Sequence, residues 1–395
     1  MPSLLEENLY HEDGRIQDEV YVYGSFVQSK MYAAGVSCSD CHNPHSGRLH
    51  AGPDPNDTCA QCHLPSKFAT ADHNQASISD CVNCHMPATT YMGVDDRRDH
   101  SFRIPDAGHS VDHYGSVIAA GRTGNANQQL LDGIADPSFP PIARATMLTL
   151  LTPVQDETAA ARIHEQLESG DPLLRIAALR ALREQPTRLR TLLGSQLLRD
   201  AVRGVRIEAA LTFADYRDLL PVEDARTYAA AGNEYRKALL QGANMPESAI
   251  RLAEFESRSG NPAEAERFFN HAIRLDPEFA LARHSYGLFL VRAGRHEEAL
   301  AELSAAAKLE PGDERLVYVY GIALNSLGKI DDAIAVLHTA RQDFPSSFDI
   351  GWALATVLRD NGDIDAARLL ATEMARQFPD DRNVKALLDS FADYE

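Results

Sequence analysis

Three times within its first ninety residues the chain sets out a cysteine, two other residues, a second cysteine and a histidine: Cys38-Ser-Asp-Cys41-His42, Cys59-Ala-Gln-Cys62-His63 and Cys81-Val-Asn-Cys84-His85. Residues three and four apart share one face of an α-helix, so a single turn carries both thiols and the imidazole on the same side. That arrangement is the attachment signature of c-type haem. Each thiol adds to a vinyl group of the porphyrin, and the histidine takes the proximal position on the iron. The spacing therefore predicts three covalent haem c groups, bound through Cys38, Cys41, Cys59, Cys62, Cys81 and Cys84, with His42, His63 and His85 as iron ligands.

A zinc ribbon is the competing use of these residues, since 17 residues separate Cys41 from Cys59, a spacing found in four-cysteine zinc sites. Disulfides are a third use. Neither accounts for a histidine directly after all three pairs. The six cysteines of the chain are all taken by the motifs, so none remains as a nucleophile or redox sensor.

An electron-carrying haem needs a second axial ligand, usually His or Met, whereas a catalytic haem leaves that position open to substrate. Besides the proximal histidines, the first 113 residues hold His11, His45, His50, His73, His100, His109 and His113. His45 follows His42 too closely to reach the far face of the same haem but suits a neighbouring one. His73 lies between the second and third motifs, and His100 lies after the third in a segment anchored by Phe102 and Pro105. The order of preference is His100, His45, His73. Met31, Met86 and Met92 are alternatives better suited to packing against porphyrin faces. Arg48, Lys67, Arg97, Arg98 and Arg103 suit haem propionates.

The elements that must position these groups change character along the 395 residues. Up to about Asp112 the chain is rich in His, Cys, Asp, Pro and Gly. Such a segment buries little aliphatic surface, so porphyrins would have to supply its core, and without haem it is expected to be unfolded. Beyond about Pro137 the chain is rich in Ala, Leu, Glu and Arg and reads as helical. From Pro246 a 34-residue period aligns Gly260, Gly294, Gly328 and Gly362, then Ala265, Ala299, Ala333 and Ala367, then Pro277, Pro311, Pro345 and Pro379. This is the tetratricopeptide period, predicting four helix pairs and a closing helix over 384–391. A weaker 31-residue period, Ala143-Arg144, Leu174-Arg175 and Val205-Arg206, predicts three HEAT-like helix pairs, followed by a connecting helix. His164, His271, His284, His296 and His338 fall in these helices as surface or packing residues.

The expected fold is therefore mainly α: a loop-rich, haem-cored domain over 1–120, a linker over 121–136, HEAT-like repeats and a connecting helix over 137–244, and tetratricopeptide repeats over 245–395. A formal net charge of −19 disfavours nucleic acid and anionic lipid as partners. No apolar run has the length of a membrane span, and residues 1–30 lack the pattern of a secretory signal. Haem attachment of this kind takes place outside the bacterial cytoplasm, so Met1 is read as the start of a mature piece or of an incomplete reading frame, with a periplasmic or extracellular address.

The stretch from Gly24-Ser-Phe through Met31-Tyr-Ala-Ala-Gly-Val-Ser-Cys38-Ser-Asp-Cys41-His42-Asn-Pro-His45, then Cys81-Val-Asn-Cys84-His85-Met-Pro and Asp99-His100-Ser-Phe-Arg-Ile-Pro, resembles bacterial multihaem cytochromes c related to the pentahaem nitrite reductases. The order of segments is more similar still to the cytochrome c and tetratricopeptide fusion proteins of that group. The resemblance implies His42, His63 and His85 as proximal ligands and His45, His73 and His100 as distal ones. Such proteins usually carry further haem motifs upstream and often one after the Asp-His-Ser-Phe segment, and this chain has neither. The Cys-x-x-Cys-Lys motif of nitrite reductases is also absent.

Three functions follow, the first favoured: an electron-transfer protein whose haems pass electrons between redox partner proteins, with a protein or peptide docked on the repeats. The second is a reductase of a small nitrogen or sulfur oxyanion at an open haem. The third is a haem-free, zinc-binding interaction protein. An electron carrier is favoured over an enzyme, and no phosphate-binding loop, nucleophile elbow or zinc-protease motif is found.

Overall fold

The computed structural model describes residues 9–11, 15–17, 21–64, 80–91, 95–102, 113–122, 127–151, 157–379 and 381–391. It is mainly helical and divides into two compact units, Met1–Gly232 and Asn233–Glu395. Among the described residues no helix is long and apolar enough to cross a membrane.

The first unit begins with short helices, Tyr23–Phe26, Lys30–Ala33, Cys38–Cys41, Pro55–Ala60 and Cys81–His85, joined by turns. An antiparallel pair of strands, Ala88–Tyr91 and Asp95–Arg98, follows the third motif, with Ala88 opposite Arg98. Among the described residues before 103, the buried hydrophobic side chains are Tyr10, Phe26, Val27 and Val82. Tyr10 lies directly on Gly24, where an added Cβ would stand 1.9 Å from its hydroxyl, so the first helix must carry a glycine there.

From His113 the unit becomes a stack of longer helices whose core includes Ile118, Leu130, Ile134, Met147, Leu148, Ile163, Leu179 and Phe213. The 31-residue period has a mechanical basis. Helices Pro141–Thr149, Pro172–Leu182 and Arg203–Phe213 each bury the residue before the repeated arginine, and that arginine reaches back to a carbonyl of the preceding segment. Arg144 donates to Ile134 at 2.8 Å, Arg175 to Ser169 at 2.7 Å and Arg206 to Asp200 at 2.8 Å. These carbonyls would otherwise be left without partners beside a packed helix. A second row of charges ties successive layers: Arg175 to Asp200 at 2.8 Å, Arg183 and Arg180 to the buried Glu208, and Arg199 to Asp224 at 2.5 Å. Glu208 is 3% exposed and is faced by the guanidinium groups of both Arg180 and Arg183.

The second unit holds four helix pairs: Pro246–Arg258 with Pro262–Leu275, Ala280–Arg292 with His296–Leu309, Glu314–Ser326 with Ile330–Asp343, and Phe348–Asp360 with Ile364–Gln377, closed by Arg382–Asp389. Each first helix ends in the same cap. Gly260, Gly294, Gly328 and Gly362 have φ between 70° and 87°, and the next residue's N–H returns to a carbonyl five residues back, as from Asn261 to Glu256 at 2.8 Å and from Arg295 to Leu290 at 2.9 Å. A side chain with a Cβ rarely takes that conformation, which is why the period shows as glycine. The repeated alanines are fully buried at the crossing of the two helices, and the prolines stand two residues after each second helix.

Gly287 and Gly321 serve close approach. A Cβ on Gly321 would lie 2.6 Å and 2.7 Å from Leu337 atoms, and one on Gly287 would lie 2.7 Å from Leu303. Replacing either by alanine should lower unfolding stability by about 1–2 kcal/mol, overpacking outweighing the better helix propensity. Gly312→Ala, which meets nothing within 4 Å, is the neutral control. Urea unfolding of the full chain, followed by far-ultraviolet circular dichroism, reads the difference.

Candidate functional site

Each Cys-x-x-Cys-His motif forms one helical turn. The N–H of His42 donates to the carbonyl of Cys38 at 2.9 Å, and that of His63 to Cys59 at 2.9 Å, while Cys81–His85 is helical throughout. Ser37 starts the first turn, its N–H donating to the Asp40 carboxylate at 2.7 Å; this bond and the Ser37 hydroxyl hold Asp40 below the usual carboxylate range. The chain after the first motif folds back, with Asn43 bonded to Arg48 and His50 to Cys41. The second and third turns touch through Asn56, whose side-chain oxygen accepts from the N–H of Val82 at 3.0 Å.

All six cysteines are free. Within each motif one thiol is half-buried, Cys41, Cys59 or Cys81, and the other is exposed, Cys38, Cys62 or Cys84. Burial pushes the Cys41 and Cys59 thiols up, and nearby thiols add to the effect: Cys62 and Cys38 around Cys41, Cys81 and Cys41 around Cys59. The three motifs therefore gather in one neighbourhood. Both thiols are held protonated at neutral pH, which is not the state of an activated nucleophile. Among the described residues no three His, Cys, Asp or Glu side chains come together as a metal site.

Two histidines far apart in sequence meet. The rings of His42 and His100 lie 6.4 Å apart between centroids, with their planes inclined by 30°. Nδ1 of His42 is 2.8 Å from the carbonyl of Gly47, and Nδ1 of His100 is 2.9 Å from that of Arg98. A ring nitrogen facing a carbonyl is the donor, so in both rings Nε2 is left as the acceptor nitrogen that coordinates a metal. Two imidazoles on opposite sides of one metal, each through a bond of about 2 Å, have ring centres roughly 6 Å apart. His42 and His100 are thus the residues that would offer imidazoles from two segments to one haem iron. Burial depresses the His100 pKa, aided by the neighbouring His42, so the ring is held in the neutral form that coordination requires.

His100 ends a row of aromatic contacts: Phe102 at 6.0 Å, then Phe26 against Phe102 at 6.2 Å, Tyr32 against Phe26 at 5.7 Å and Tyr23 against Tyr32 at 6.5 Å. Phe102 has φ 49° and is the non-glycine residue with positive φ among the described residues, a conformation costing on the order of 1–3 kcal/mol.

Of the other ligands read from sequence, His45 is exposed in the turn after the first motif, its backbone N–H bonded to Asn43. His50 is held 3.0 Å from the carbonyl of Ser39, and His11 is exposed. His63 is exposed and His85 half-buried, as are Met31 and Met86. His73, His109, Met92, Lys67 and Arg103 lie outside the described residues, as does the His113 side chain. Arg98 bonds to Asn83 and to the carbonyl of Met86, both at 3.1 Å, and Arg48 is exposed. Among the helical histidines, His271 meets the carbonyl of Ala243 and His284 is buried. Sequence reasoning missed Asn56, Asp99 and Ser101. The Asp-x-Ser spacing of an Asx turn was the available signal for the last two.

Comparison with known proteins agrees with this geometry at both ends of the chain. Residues 30–68 match the doubled CXXCH motif family, which spans the first two motifs, and residues 226–377 match a tetratricopeptide repeat family. A search of curated proteins found no match. Solved structures with some likeness include YrrB, a tetratricopeptide protein described as having an unusual peptide-binding site (20% identity, 40% of this chain, 82% of that one, TM-score 0.34). MamA 41-end from Desulfovibrio magneticus RS-1 is 17% identical over 43% of this chain and 93% of its own, with TM-score 0.32. A tetratricopeptide repeat protein from Parabacteroides merdae is 14% identical over 70% of this chain and 98% of its own, with TM-score 0.34. The chain joins a CXXCH cytochrome segment to tetratricopeptide repeats. Its paired motifs bind haem c covalently, and its repeats form a protein-interaction scaffold.

Asn56 caps the third motif's turn from a different segment, since Asp80 makes no side-chain cap there. Asn56→Ala should cost about 1 kcal/mol locally and speed amide exchange at Val82 roughly five-fold. Hydrogen exchange read by mass spectrometry on the full chain checks this.

Proposed function

We propose that this chain is an electron-transfer cytochrome c with three covalent haems, whose irons exchange electrons with redox partner proteins while the tetratricopeptide unit docks one of them. The observation that carries the reading is the His42 and His100 pair, two imidazoles with Nδ1 tethered to backbone carbonyls and ring centres 6.4 Å apart. An iron bound by both would take its protein ligands from His42 and His100, which would suit outer-sphere electron transfer rather than substrate binding. The haem supplies the redox chemistry when bound. The chain supplies thiols to fix each ring, imidazoles to set the coordination, and a low-polarity aromatic wall beside His100 that bears on the potential.

His63 and His85 are the proximal ligands of the second and third haems in this proposal, with His45 and His73 as distal ones. Two supports lie in the sequence: the third motif, which repeats the two cysteines and the histidine of the first two at the same spacing, and the Asp-His-Ser-Phe segment, which resembles that of the relatives of pentahaem nitrite reductases. A trihaem domain over 1–120, HEAT-like pairs over 137–244 and tetratricopeptide repeats over 245–395 are the proposed division. Covalent haem maturation supports a periplasmic or extracellular address.

Protein matured with its haems should be fully low-spin by electron paramagnetic resonance, with optical spectra unchanged by cyanide or nitrite. A high-spin signal that either anion converts would overturn the carrier reading in favour of a reductase with an open iron.

A further inference from the structure

His42 and His100 belong to different motifs' surroundings, and a ligand reaching across the fold must be aimed by its neighbours rather than by its own segment. Around His100 three constraints converge. Asp99, 9% exposed, accepts from the Ser101 N–H at 2.9 Å and from the Ser101 hydroxyl at 2.6 Å, closing a clasp beneath the histidine between them. The same residue's N–H donates to the carbonyl of Pro87 at 3.1 Å, and Arg98 bonds Asn83 and Met86, so the clasp is tied to the turn of the third motif. On the other side, Phe102 stands edge-on to His100 at 76° and is itself braced edge-on by Phe26 at 77°.

The backbone at 102 is in the left-handed region, which glycine would occupy without penalty. A phenyl group there is strained for the sake of where its ring goes. That ring closes off rotation of the imidazole, while the Arg98 carbonyl fixes its tautomer. We infer that Asp99, Ser101 and Phe102 are positioning residues, which together aim the His100 imidazole and fix its plane against the iron carried by the first motif. The inference rests on the axial pairing proposed above and adds a coupling: the third motif's turn sets the coordination of the first motif's haem.

Haem-loaded full-length Asp99→Asn, Ser101→Ala, Phe102→Leu and His100→Ala are compared with the parent by pyridine haemochrome and electron paramagnetic resonance. Ser101→Thr, which keeps the hydroxyl, and Phe102→Tyr, which keeps the ring, serve as conservative rescues. The haem count should stay at the parent value throughout. His100→Ala should convert about one third of the haem to high-spin, and the three clasp variants should shift the low-spin g values of that same haem or make it partly high-spin. The two conservative variants should restore the parent signal. If His100→Ala opens one haem while the clasp variants leave every g value in place, the positioning inference is wrong and the pairing stands. If His100→Ala leaves every haem low-spin, both fall together.

Discussion

A helical turn with two thiols and an imidazole on one face can be clamped to a flat ring from both edges, yet by itself it buries almost nothing. The amino-terminal part of this chain is built from three such turns. Its buried hydrophobic side chains among the described residues before 103 are four, and two of them are aromatic. Where an ordinary domain of this length would interleave aliphatic side chains, this one sets rings edge to face from Tyr23 through Phe102 to His100. Large flat cofactors fit between such walls as leucines do not. In every motif one thiol is half-buried and the other exposed.

The two units solve the problem of cohesion in opposite ways. In the second, each helix pair repeats one cap, one buried alanine and one glycine or alanine at the crossing, so the interior is filled by short-range packing that barely depends on distant sequence. In the helical part of the first, the repeated arginine closes a carbonyl behind it, and acids of following segments face Arg175, Arg180, Arg183 and Arg199. The haem-binding segment shows neither device among the described residues.

What the sequence made legible was whatever is local. The three turns, the 34-residue helix pairs and the 31-residue arginines are set by neighbours within a few residues, and each is found where its spacing puts it. The meeting of His100 with His42 was not legible, although both were named as ligands, because it depends on a strand pair, an Asx clasp and a left-handed Phe102 acting together. The role of Asn56 was hidden for the same reason: its cap is made to a helix in another segment. The 25-residue offset between arginine and acid went unread since charges on helices usually face solvent, and only packing shows Glu208 and Asp224 to be buried.

The central claim is chemical: each of the three turns is bonded through its thiols to an iron porphyrin. Intact mass spectrometry of the full chain, purified from a host able to attach haem c, addresses it directly. The account predicts a single species at the mass of the polypeptide plus three haems. A colourless chain at its bare polypeptide mass, made in the same host, would contradict it.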